Sequence, residues 1–118
     1  MNQTQREALF DLLTLSIYAD SHISLTEEAL IESAFIAEGW ESEYPKNLFI
    51  EKSFARAREA AESDAAAKDY IASRAKAFTD ASSQAEAVGV VSNILSRDGL
   101  TSEENRFIAA LKSALPAL

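Results

Sequence analysis

One short phrase occurs twice in this chain, once near each end. Asp20-Ser21-His22-Ile23-Ser24-Leu25-Thr26-Glu27 is answered by Asp98-Gly99-Leu100-Thr101-Ser102-Glu103-Glu104. Each copy is an acid, a short turn, a branched apolar residue, a hydroxyl, two spacers and an acid. The second turn is one residue shorter. Each copy lies between stretches of helical periodicity, so the phrase marks a repeated helix–turn–helix corner.

The segments around the corners are read from apolar spacing. A first helix runs from about Thr4 to Ala19, with Leu9, Leu13 and Ile17 in line and Phe10, Leu12 and Tyr18 widening the stripe. A second starts after Ser24, carries Leu30, Ile31, Ala34 and Phe35, and stops near Gly39. Pro45 suits the first turn of a third helix with the stripe Ile50, Phe54, Ala57 and Ala61. Ser63-Asp64 offers the cap of a fourth, whose stripe is Ile71, Ala75 and Phe78 with Tyr70 beside it. Ser83 and Glu86 form a Ser-x-x-Glu capping box for a fifth helix bearing Val88, Val91, Ile94 and Leu95. A sixth follows Gly99 with Phe107, Ile108, Leu111 and Leu115. The expected fold is all-α: a compact bundle of about six helices with an internal pseudo-repeat of helix–turn–helix corners. The Ala-rich middle reads as close helix packing, and no linker divides the chain, so residues 1–118 are expected to form one domain.

Composition narrows the function classes. Cysteine is absent, which removes disulfides, thiol nucleophiles and thiolate metal sites. Neither a signal peptide nor an apolar run near the roughly 20 residues of a membrane span is visible, so a soluble cytoplasmic protein is expected. The net charge of −8 is unevenly placed. Residues 1–45 hold nine acids against Arg6 alone, whereas residues 46–118 hold ten acids and ten bases. A surface of that sign repels phosphate backbones and disfavours nucleic acid. It attracts cations or a basic protein partner; equally, the acids keep a small domain soluble or face Lys46, Lys52, Arg56 and Arg58.

Most of the corner is helix chemistry. Ser24 with Glu27, and Thr101 with Glu104, stand three apart before apolar helices, as a capping box requires. Ile23 and Leu100 occupy the position of a hydrophobic staple. Asp98-Gly99 is a helix stop, because glycine adopts the left-handed conformation without steric cost. Asp20 and Asp98 remain unexplained: both follow helix C-termini, where the dipole disfavours an acid. Carboxylates with carbonyls from a tight turn suit a divalent cation of the Ca²⁺ or Mg²⁺ type. The corners are not EF-hand loops, since position 6 from Asp20 is Leu25 rather than glycine and position 12 is Ile31 rather than glutamate.

A helix ending Tyr18-Ala19-Asp20 and leading to Ile23-Ser24 and Glu27, then Arg97-Asp98-Gly99-Leu100-Thr101 and Glu104 before a Phe107-Ile108 helix, resembles the tellurite-resistance TerB-like family. The two motifs bracket the middle helices, so the resemblance spans the chain. It implies an all-helical bundle with pseudo-symmetry, a role in tellurite and chemical-stress responses without an enzymatic reaction, and an acidic site for a divalent metal. Carried over by position, that site comprises Asp20, Glu27, Asp98 and Glu104. The sequence departs from the family pattern where Ser21-His22 replaces glycine after the first aspartate.

Other signals are weak. His22 is the one histidine, and no Gly-x-Ser-x-Gly elbow or glycine-rich phosphate loop accompanies the serines. Trp40 and Tyr44 flank the expected loop between the second and third helices, either as a packing cap or as part of an interface. The alternative function is an acidic protein–protein interaction module that covers a basic partner surface.

Overall fold

The computed structural model describes residues 2–19, 43–95 and 102–116, apart from the side chains of residues 19, 103 and 104. Five helices occur among them: α1 (Gln3–Ala19), α2 (Lys46–Ala60), α3 (Asp64–Ala75), α4 (Ala81–Leu95) and α5 (Ser102–Ala114). The all-α class expected from the sequence is observed. The second expected helix, after Ser24, lies outside the described residues. Among the described residues no helix is long and apolar enough to cross a membrane.

The arrangement follows from α1. Leu9, Phe10, Leu12, Leu13, Leu15 and Ile17 point in every direction around its axis, and all are buried. A helix that is apolar all round has no face to give to water and must sit at the centre. The other four helices accordingly each contact α1, while α3 packs on α2 and α5, and α4 packs on α5. Thr14 and Ser16 interrupt the apolar surface without leaving stranded donors. Thr14 Oγ1 donates to the Asp11 carbonyl (2.9 Å) and Ser16 Oγ to the Leu13 carbonyl (2.6 Å).

Helix ends are set by side chains. Asn2 and Gln5 exchange side-chain to backbone hydrogen bonds of 2.8 and 3.1 Å, a reciprocal cap that begins α1 one residue before Thr4. Ser63 accepts from the Ala66 N–H, as expected of the α3 cap. The fifth expected helix, here α4, starts differently from the Ser83–Glu86 box. It begins at Ala81, Asp80 accepts from the Ser83 N–H (2.7 Å), and Ser83 Oγ reaches back to the Asp80 N–H and carbonyl. A carboxylate cap with Ser83 in the third helical position takes the place of a serine cap, and Ser83 is buried by the extra turn. Gln84, also buried, donates to the Phe78 carbonyl (3.0 Å) and closes the turn behind it.

The core is divided by chemistry. Against one side of α1 lie Ala87, Val91, Ile94 and Leu95 of α4 with Phe107, Ile108, Leu111 and Leu115 from α5 and the residue after it. All these residues are buried, and all but Ala87 belong to the expected apolar stripes; Ala87 takes the inward place expected of Val88, which is only partly covered. The α2 face keeps Ala57 of the expected stripe but turns inward one residue earlier than expected at its other positions. Phe49, Ser53, Ala57 and Ala60 are its buried positions, and Ile50, Phe54 and Ala61 are only partly covered. Ser53 causes the difference: hydropathy does not assign a serine to a core, yet its hydroxyl has a buried partner on α1.

Candidate functional site

That partner is Asp11, a carboxylate in the middle of Leu9-Phe10-Asp11-Leu12-Leu13. A buried carboxylate is strongly disfavoured unless it is paired and hydrogen-bonded. Asp11 meets both conditions using α2 and α3. Its Oδ1 accepts from Ser53 Oγ (2.7 Å) and Arg56 Nη2 (2.9 Å), and its Oδ2 forms an ion pair with Arg74 Nε at 2.8 Å. Thr14 Oγ1 lies 2.8 Å from Ser53 Oγ. The only hydroxyl proton of Ser53 is committed to Asp11, so Thr14 is the donor in that contact, sharing its proton with the Asp11 carbonyl. One acid thereby joins three helices.

Aromatic faces hold the two arginines in place. The Arg56 guanidinium lies over the Phe49 ring at 5.8 Å, and that of Arg74 over the Tyr70 ring at 4.8 Å. Burial works against the charge on Arg56, but the hydrogen bond and the charge of Asp11 outweigh it and raise its pKa. Tyr70 is held above the usual phenol range, first by burial and then by the Asp11 charge, with both guanidiniums opposing. The Arg56 and Arg74 side chains are 38% and 30% exposed, against 5% for Asp11, so the cations bridge the buried acid to solvent. They emerge in a cleft of about 580 Å³ between the N-terminal half of α1, α2, and the end of α3.

Asp11 offered a signal in the sequence: a lone acid inside an otherwise apolar helix has to be paired. Ser53, Arg56 and Arg74 carried no comparable mark, because serines and arginines at helical spacing are ordinary surface residues. The expectation that acids of the first 45 residues face the bases of the following helix is met at Asp11–Arg56. Lys52 and Arg58 lie over aromatic rings, at 5.2 Å from that of Tyr44 and 5.9 Å from that of Tyr18. Tyr44 is itself exposed, and Trp40 lies outside the described residues.

Of the four acids assigned to a metal by resemblance, Asp20, Glu27 and Asp98 lie outside the described residues. Glu104 belongs to α5, but its side chain is outside them too. His22 is likewise outside. Among the described residues no group of three or more acids and histidines is placed to hold a metal ion. The candidate centre that the described structure assembles is therefore the Asp11 cluster and its cleft. No family model matches the chain, and none of the curated proteins or solved structures compared with it matches either.

Proposed function

We propose that this chain is a TerB-like helical domain of the tellurite and chemical-stress type that works by binding rather than by catalysis. Its ligand in this reading is a divalent cation held by Asp20, Glu27, Asp98 and Glu104. The observation that carries the reading is the doubled corner. Four carboxylates with turn carbonyls are a hard donor set, which suits Ca²⁺ or Mg²⁺ rather than a soft metal. Melting the protein with and without millimolar Ca²⁺ or Mg²⁺ tests it, since a ligand that binds only the folded state raises the melting temperature. Asp20→Asn with Asp98→Asn should abolish the rise. A wild-type protein whose melting is indifferent to both metals contradicts the proposal.

The charge distribution favours a second reading, an acidic module that covers a basic protein partner. Asp11 is neutralised inside the fold, so the charge left for a partner is concentrated from Asp20 to Glu43. Neutralising Glu32, Glu38, Glu41 and Glu43 should then weaken partner capture in a salt-sensitive manner. Capture unaffected by those changes and by salt contradicts this reading.

A further inference from the structure

We infer that the cleft beside Asp11 binds a small organic anion, with a phosphate or carboxylate head on an apolar body. This site is separate from the corner motifs and does not depend on them. Among the described residues three cations border the cleft, Arg56, Arg74 and Lys76, against two carboxylates, Asp11 and Glu7. The whole chain carries a charge of −8, so an excess of cations here is a local exception.

The arginines are already in position. Each guanidinium is fixed between one oxygen of Asp11 and an aromatic face, so little side-chain entropy remains to be lost when an anion binds. Asp11 occupies only part of their donor capacity, because each guanidinium carries five N–H groups. Among the described residues the Arg56 Nε, which is buried, has no hydrogen-bond partner. Two guanidiniums on one carboxylate leave a positive charge unmatched, which a second oxyanion would neutralise. Lys76 adds an exposed third cation just beyond the C-terminus of α3.

Size and walls define the remainder of the ligand. A volume of about 580 Å³ is within the range of small-molecule sites. Ala8, Phe49 and Ala77 give it apolar walls, so a bare inorganic ion would leave much of the cleft to water. A ring or short chain attached to the anionic head would fill it.

The test is titration of the full-length chain with phenyl phosphate, phenylacetate and neutral benzyl alcohol, followed by heteronuclear NMR and thermal melting. The expected result is saturable binding of at least one of the two anions, with a dissociation constant of about 1 mM or tighter, and no comparable binding of the alcohol. The tighter anion identifies the head group. Lys76→Gln, at an exposed position and without placing an acid at the C-terminus of α3, should weaken binding by about threefold or more while leaving the ligand-free melting temperature nearly unchanged. Glu7→Gln should strengthen it. Failure of both anions to saturate, binding of the alcohol as tight as theirs, or binding indifferent to both substitutions overturns the proposal.

Discussion

The two sides of α1 hold the bundle together by different means. Towards α4 and α5 the contacts are hydrocarbon: Val91, Ile94, Phe107, Leu111 and Leu115 close on the leucines of the central helix. Towards α2 and α3 the central contact is ionic, with Asp11 binding Ser53, Arg56 and Arg74. Hydrocarbon burial is strong but undirected, since it scales with the area removed from water. The polar side tolerates only one register, because a shift of one residue in α2 would remove Ser53 and Arg56 from Asp11 together. The difference teaches where each kind of change will be felt. The α4–α5 side supplies bulk stability, and the α2–α3 side supplies alignment and the chemistry of the cleft.

The largest effect should come from the hydrocarbon side. Leu111 is fully buried, and Leu111→Ala removes its transfer energy and leaves a cavity, a loss of about 3–4 kcal/mol in urea unfolding. Asp11→Ala should follow at about 3 kcal/mol, because it leaves two cations without their acceptor. It stays below the Leu111 loss because both arginines already reach solvent and can complete their exposure. Ser53→Ala should cost less again, about 1 kcal/mol, since Thr14 retains the Asp11 carbonyl as its acceptor and no buried group is stranded. A Ser53→Ala loss equal to that of Asp11→Ala would show that the hydroxyl, rather than the ion pairs, aligns α2.

The smallest effect concerns a helix end remote from this contrast. Hydrogen bonds from the Ser83 backbone and then its side chain hold Asp80 below the usual carboxylate range. A group whose pKa is depressed by folding stabilises the protein above its unfolded pKa, and that contribution is lost as pH falls through the folded value. Wild type should therefore lose stability relative to Asp80→Ala below about pH 4. Parallel pH profiles for the two proteins would show that the cap contributes nothing through its charge.

How far the chain could be read in advance follows the same division. Phe107, Ile108, Leu111 and Leu115 were legible because apolar spacing reports hydrocarbon burial directly, and Ser63 because a cap has a local signature. Apolar spacing places Ile50 and Phe54 on the inward face of α2, where they are only partly covered, because pairing between distant polar residues leaves no periodic trace. The Asp80 cap was missed because two boxes overlap in Asp80-Ala81-Ser82-Ser83-Gln84-Ala85-Glu86, and spacing alone does not rank them. Of the corner acids on which the metal proposal rests, Asp20, Glu27 and Asp98 lie outside the described residues, as does the side chain of Glu104. The cleft had no sequence signal beyond Asp11 itself.

The central claim is that Asp11 acts as an oxyanion clasped by two arginines at the edge of an open cleft. Chemical rescue tests it most directly, by measuring the urea midpoints of wild type, Asp11→Ala and Leu111→Ala with and without phosphate at matched ionic strength. Phosphate stabilises folded proteins in general by exclusion from their surface, and the Leu111→Ala protein reports that background. Asp11→Ala should gain more than either of the others, as phosphate takes the place of the missing carboxylate between Arg56 and Arg74. Equal gains in all three proteins would contradict the claim.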